Sequence, residues 1–376
     1  MLRNNITPRN NWQKAVENIG FGFHSTDVPY WDESAYYSFT NAEIEHIEAA
    51  TNELHAMCLQ AVQHVINNNL YAQYGIDAAT IPLIIDSWNN DVPSLYGRFD
   101  LCVKEGKIKL LEYNADTPTS LYEAAIVQWF WLQDFDKTKD QYNSIHEKLI
   151  AYLKYVTPYL KSNNLHFTCV KDSLEDLTNT EYIRDCAIQA GLNTTLVFID
   201  DIGWNSTENT FVDGADLAIQ NLFKLYPWEW LMHEDFAQNI IAHPNQTFFI
   251  EPAWKMLLSN KALLVTLWEL NPNHPLLLET SFTPLANNSY VKKPLLSREG
   301  ANITIVENNF PLAETNGDYG KEGFVFQALC TLPNYNYNYP VVGSWVIGQE
   351  AAGIGIREAN TLITDNKSRF VPHIIG

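Results

Sequence analysis

Two apolar runs flanking a short polar turn constrain this chain more than anything else in it. Ser94-Leu-Tyr-Gly-Arg98-Phe-Asp100-Leu-Cys-Val103 leads into Lys104-Glu-Gly-Lys107, and Lys109-Leu-Leu-Glu112-Tyr-Asn114-Ala-Asp116-Thr-Pro-Thr119-Ser120 follows. This is the pattern of an antiparallel hairpin. A loop of Glu105 to Lys107, with Gly106 at positive φ, sets Asp100 opposite Glu112 and Arg98 opposite Asn114. Side chains alternate along a strand, so these four share one face, and Phe99, Leu101, Val103, Leu111 and Tyr113 are expected to face a core. Carboxylates directly across a ladder repel each other. A cation between them removes the conflict, and an Asp, Glu and Asn oxygen set suits Mg²⁺. A solvated surface hairpin is the plainer reading of the same residues.

The segment beyond the hairpin is rich in turn formers. Ser120-Leu-Tyr-Glu123 matches a capping box opening a helix from Leu121 to Asp134, whose Trp129, Phe130 and Trp131 are expected to be buried. A hydroxyl-rich loop feeding a helix N-terminus favours anions. Metal face, arginine and anion site together point to phosphate or carboxylate chemistry.

Charge narrows the partners. Lys+Arg 24 against Asp+Glu 44 gives a net charge of −20, which argues against nucleic acid or an anionic membrane surface. Local lysines and arginines then gain meaning as anion contacts. The 376 residues suffice for two domains. Five scattered cysteines without a CxxC argue against a disulfide framework or zinc cluster. The start lacks an apolar signal core and no run approaches a membrane span, so a soluble cytoplasmic protein is expected, of open oligomeric state. The histidines show no HxxxH spacing.

Along the chain, residues 8 to 40 form an aromatic-rich stretch expected to wrap irregularly on the body. Thr40-Asn-Ala-Glu43 caps a helix running towards Asn67, and another spans about Asn143 to Leu160. A strand from His166 to Val170, a helix from Leu174 to Ala190 and a strand from Thr194 to Ile199 make a unit of the kind that builds parallel sheets. Its first turn, Lys171-Asp-Ser173, has no GxGxxG. Ala215 to Leu225 reads as a helix, followed by Tyr226-Pro-Trp-Glu229-Trp230. Residues 165–250 form an inserted α/β subdomain in this reading, within a body of 1–164 and 251–376. Ser259-Asn260-Lys261 caps a helix and places Lys261 where it opposes the macrodipole. Strands at Tyr290–Leu296 and Ile303–Val306 flank Ser297-Arg298-Glu-Gly300-Ala-Asn302, a loop able to close over phosphates. Strands at Phe324–Gln327 and Val341–Ile347 precede Gly353-Ile-Gly355-Ile-Arg357-Glu358.

With these motifs assembled, the chain resembles the glutathionylspermidine synthetase family, specifically its stand-alone bacterial members without an amidase domain. The resemblance runs from near residue 12 to the C-terminus. It implies an ATP-grasp fold with a pre-ATP-grasp-like α/β subdomain, in an α/β or α+β chain, and ATP-dependent joining of a carboxylate to an amine. It implies that Asp100, Glu112 and Asn114 ligate Mg²⁺. Lys261 and Lys293 would hold ATP phosphates, with Ser297, Arg298, Gly300 and Gln327 completing the nucleotide site. Arg98 would stabilise the transferring phosphoryl group, and Arg357 would contact phosphate or a substrate carboxylate. Thr117, Thr119 and Ser120 would meet the acid substrate. The bifunctional synthetases carry serines where this chain has Thr117-Pro-Thr119.

For the amine, Glu229 between aromatics suits a cationic ligand such as a polyamine, and Glu251 before Pro252 shares that reading or serves as a buried rim carboxylate. Two other functions compete with the ligase. A glycoside hydrolase would need its carboxylates about 5 Å or more apart, wider than a directly facing pair allows. A non-catalytic nucleotide-binding partner protein would keep the fold without the chemistry.

Overall fold

The computed structural model describes residues 1–25 and 29–376, so residues 26–28 of the aromatic stretch lie outside the described residues. The hairpin becomes two strands, Tyr96–Lys104 and Lys107–Asn114. They join Tyr339–Ile347, Glu350–Ala359 and Arg369–Val371 in a five-stranded antiparallel sheet in which Tyr96–Lys104 lies next to Tyr339–Ile347. The helix Asn41–Asn68 covers one face. It begins at the anticipated capping box, in which the Glu43 amide donates to Thr40 Oγ1 (3.3 Å) and the Thr40 amide to Glu43 Oε2 (2.9 Å). Its inner face fills the main core with Ile47, Leu54, Ala61 and Val65, against Phe99, Leu101 and Val342.

A second antiparallel sheet stacks Thr280–Ser281, Phe324–Ala328, Tyr290–Pro294, Thr304–Glu307 and Phe310–Glu314 in that order. A third, fully parallel sheet runs Phe248–Ile250, Asn221–Leu225, Asn164–Cys169, Asn193–Leu196. The helix Leu174–Gln189 connects its last two strands, as the strand–helix–strand reading expected.

The helix expected over Ala215 to Leu225 is not formed: Asn221–Leu225 is an inner strand of the parallel sheet. All five of its residues are buried. A strand covered on both faces loses the alternation that marks a half-buried one, so the local pattern resembles a helix. The N-terminal stretch is also more regular than expected. Leu2–Asn5 and Ala35–Phe39 pair with each other, and His373–Ile375 from the far end of the chain completes that sheet. Pairing across the whole chain leaves no local signal.

The helix after Ser120 departs in two ways. Ser120 has φ +66° and its hydroxyl lies 3.1 Å from Tyr30 Oη, so no capping box forms. Asn179 Oδ1 instead accepts from the Leu121 and Tyr122 amides (3.0 and 3.3 Å). Residues Glu123–Val127 then run as a π turn before the α-helix Gln128–Phe135. Trp131 is buried, while Trp129 and Phe130 are exposed, contrary to expectation.

The loop between the hairpin and this helix is tied to the parallel sheet by a buried ion pair. Asp116 Oδ1 accepts from Lys224 Nζ (2.7 Å), and its Oδ2 accepts from the Trp228 amide (2.7 Å). Lys224 also donates to the Tyr226 carbonyl (2.9 Å). Removing one partner of such a pair strands the other charge in the interior. Lys224→Met is therefore expected to lower stability by about 3–5 kcal/mol in urea unfolding. The double variant Asp116→Asn with Lys224→Met should recover part of that loss.

Candidate functional site

The hairpin carries the four polar side chains in the expected register. Asp100 pairs with Glu112 and Arg98 with Asn114. The route to that register differs from the expectation. Glu105 and Gly106 form a two-residue turn, both at positive φ (51° and 73°), the geometry that matches strand twist. Lys104 therefore pairs with Lys107, and Leu101 with Leu110. One extra residue, Leu111, is then inserted before Glu112, a β-bulge that restores the pairing a three-residue loop would have produced. Leu111 consequently leaves the main core, where Leu110 takes its place, and packs with Cys102, Leu332 and Val341.

On the polar face, Arg98 donates from Nε to Asp100 Oδ1 (2.7 Å) and from Nη1 to the Thr119 carbonyl (2.6 Å). The Asn114 amide nitrogen bridges Asp100 Oδ2 and Glu112 Oε1 (3.3 and 3.2 Å). Lys261 Nζ lies 3.3 Å from Glu112 Oε2. The two carboxylates respond differently. Burial works to raise Glu112, but Lys261 and Lys293 outweigh it and lower this carboxyl to about 2. Asp100 is pushed up by burial and by the neighbouring Glu112, against the pull of Arg98.

A hard cation fits this donor set. Two carboxylates face each other, one raised by the other's charge, with an amide oxygen available if Asn114 turns its carbonyl inward. Among the described residues no group of three or more His, Cys, Asp or Glu side chains converges as a metal cage, so a cation here would rest on two carboxylates and the Asn114 amide oxygen.

Two cavities meet at this face. The larger, about 270 Å³, is a mostly apolar cleft between the two antiparallel sheets, walled by Leu111, Ile303, Leu329, Leu332, Leu362 and Ile363. Lys293 and Gln327 lie at its floor. Lys293 Nζ donates to the Leu111 carbonyl (2.9 Å) and to Gln327 Oε1 (2.8 Å). Burial lowers Lys293 to about 8, even with Glu112 working to raise it. Lys261 sits just before the helix Ala262–Leu270, where Asn260 Oδ1 accepts from the Ala262 amide (2.9 Å), and its Nζ donates to the Ser297 carbonyl (2.7 Å). Ser297 Oγ is buried without a partner. Gly300 has φ +68°, and a Cβ there would lie 2.6 Å from the Thr364 carbonyl. Only glycine allows that approach.

The smaller cavity, about 180 Å³, lies on the other side of the carboxylates. Thr117, Thr119, Arg298 and Arg357 line it, with Asp176 and Trp230. Arg298 reaches from the glycine loop to Glu229 Oε1 (3.0 Å from Nε) and to Thr117 Oγ1 (2.8 Å). Glu229 is thus taken up by an arginine of this chain. Ser120 lines a further small space beside Arg98 and Arg357, with its hydroxyl directed to Tyr30. Glu251 is fully buried, where its Oε1 accepts from the Leu95 and Tyr96 amides (3.0 and 3.2 Å) and fixes the start of the hairpin.

The sequence reading missed Thr364, which lines both cavities, and Asp176. Thr364 lies in a C-terminal loop with no motif around it. Asp176 falls in the first turn of an ordinary capped helix. Burial and Glu175 raise the Asp176 carboxyl to about 6.

Comparison with known proteins adds four findings. Residues 3–376 match the family described as glutathionylspermidine synthase preATP-grasp. A Haemophilus influenzae protein provisionally named an acid–amine ligase is 45% identical over 373 residues, covering 95% of this chain and 94% of that one. The bifunctional glutathionylspermidine synthetase/amidase of Escherichia coli is 27% identical over 90% of this chain, which spans 59% of that protein's length. Trypanothione synthetase of Crithidia fasciculata is 26% identical over 85% of this chain and 53% of its own.

The lowered Lys293 yields a pH signature of opposite sign for binding and stability. A polyanionic ligand needs the charged amine, so its affinity should fall as pH rises through about 8, by up to about tenfold per pH unit for one linked proton. Between about 8 and the ordinary 10.5 the unfolded chain holds more of this proton than the folded one, so this lysine makes ligand-free stability rise with pH over that window. Lys293→Arg, which stays charged, should flatten the affinity profile, as calorimetric titration with ATP across that range would show.

Proposed function

The chain belongs to the glutathionylspermidine synthase preATP-grasp family of carboxylate–amine ligases, and we propose that it activates its acid with ATP through an acyl phosphate, at the junction of the two cavities. The observation that carries this reading is that Asp100, Glu112, Gly300 and Thr364 line both spaces. A nucleotide in the apolar cleft and an acid in the polar one then meet across the two carboxylates. Residues 165–250 act as the inserted α/β subdomain that walls the polar cavity, within an ATP-grasp body.

In this reading the acid enters the smaller cavity, where Arg298 and Arg357 offer guanidinium groups to its carboxylate. The phosphates lie over Lys261, Lys293 and the glycine loop. Asp100, Glu112 and Asn114 would hold Mg²⁺, which when bound supplies charge neutralisation on the phosphate oxygens. The carboxylate attacks the γ-phosphorus, ADP leaves, and the amine then displaces phosphate from the acyl carbon to form the amide. Catalysis of such transfers rests on positioning and on donors aimed at the developing charge. Arg98 is that donor, held in place by Asp100 and the Thr119 carbonyl. Arg298, tied to Thr117 and Glu229, draws the glycine loop over the site and keeps water from the acyl phosphate. Asp176 gives the cationic amine an acidic contact on the same cavity wall.

The acid and amine are to be found by measuring Mg²⁺-dependent ADP release across panels of small peptides and amines, polyamines included. ADP release requiring both an acid and an amine is the expected result. Nucleotide binding without turnover on any pair would instead favour a non-catalytic partner protein. Arg98→Ala should lower the rate roughly 100- to 1000-fold. Asp100→Ala should abolish it while the circular dichroism spectrum stays unchanged, and normal turnover in that variant would remove the metal assignment.

A further inference from the structure

Two of the five cysteines meet at the wall of the larger cavity. Cys102 lies on the strand that carries Arg98 and Asp100, two residues further along and on the same side. It is buried among Leu332 and Val341, and Cys330 packs against this cluster together with Leu111. Cys102 Sγ lies 3.9 Å from the carbonyl oxygen of Thr331, next to Cys330 in the chain. Cys330 is half-buried and faces the cavity, so a small molecule there can reach its sulfur. The other three, Cys58, Cys169 and Cys186, are buried in other parts of the core.

We propose that Cys330 and Cys102 form a thiol–disulfide exchange site on the cavity wall, taking low-molecular-weight disulfides as reagent. Cys330 attacks one sulfur of the disulfide RSSR, forming the mixed disulfide Cys330–S–S–R and releasing one thiolate RS⁻. The Cys102 sulfur, losing its proton, then attacks the Cys330 sulfur and expels the second RS⁻. The two protons given up by the cysteines end on the two RSH products. The protein dithiol is oxidised and RSSR is reduced, so electrons balance. The bond links the strand that carries Asp100 to the segment between Phe324–Ala328 and Tyr339–Ile347, two residues past the end of the second sheet's strand. This reaction is independent of the ligase reading and is followed by mass, not by turnover.

The test treats the full chain with hydroxyethyl disulfide and follows intact mass and peptide maps. Wild-type protein should lose the mass of two hydrogens and yield a Cys102–Cys330 linked peptide, reversible by dithiothreitol. Cys102→Ser should stop with one stable hydroxyethylthio adduct on Cys330, and Cys330→Ser should leave Cys102 unmodified. A persistent Cys330 adduct in wild type, equal to that in Cys102→Ser, would overturn the pairing. So would modification of Cys58, Cys169 or Cys186 before Cys330. The wild-type peptide map decides the matter even if a serine variant fails to fold.

Discussion

The site depends on two carboxylates placed directly across a β-ladder. Asp100 and Glu112 repel at that spacing, and the surrounding side chains are arranged to contain the repulsion. Arg98 and the Asn114 amide hold Asp100, while Asn114, Lys261 and Lys293 act on Glu112. With both carboxylates ionised, three fixed cations face two anions. In a chain of net charge −20 this is a local reversal of sign, and it suits a polyanion bearing a divalent cation. It also explains the asymmetry of the pair. Glu112 is the better ionised of the two because two lysines face it, whereas Asp100 feels its neighbour in deeper burial.

The polar cavity is assembled from pieces distant in sequence, so its shape depends on how they are fastened. Asp116 does this on one side, using both oxygens to hold Lys224 and the Trp228 amide. Arg298 does it on the other, joining the glycine loop to Thr117 and Glu229. Both fasteners act on the few residues between the hairpin and the π turn. Buried pairs of this kind add little net stability compared with apolar packing, so their contribution here is placement. Glu229 reads as an amine contact in sequence because an acidic residue between aromatics suits a cation. The structure supplies a cation from within the chain.

Much of the hairpin was legible from residue types alone, because alternation and turn composition are local. The register came out right from a loop of the wrong length, since the bulge at Leu111 offsets the shorter turn. Leu111 itself was assigned to the wrong face for the same reason. Asn221–Leu225 misled because a strand buried on both sides carries no alternation. Ser120 had the composition of a cap but not the backbone of one, and Asn179, far along the chain, does that work. The name of the fold came from family motifs, not from periodicity, and Thr364 had no signal because only its place in a loop brings it to the two cavities.

The bulge has a further role, which the hairpin reading alone could not reveal. An inserted residue disturbs the ladder and leaves backbone groups free for other partners. Here the Leu110 amide donates to the Leu276 carbonyl (2.8 Å), and the Leu110 carbonyl accepts from Gln327 Nε2 (3.1 Å). The Leu111 carbonyl accepts from Lys293. Both Gln327 and Lys293 belong to the second sheet. One irregularity therefore sets the carboxylates opposite each other, turns Leu111 into the cavity wall and docks the second sheet onto the first. Lys293 also donates to Gln327 Oε1, so the two docking side chains hold each other. Lys293 and Gln327 thus tie the second sheet to two successive carbonyls of the bulge, Leu111 and Leu110, and that double tie holds the sheets in register beside the pairing of Asp100 with Glu112.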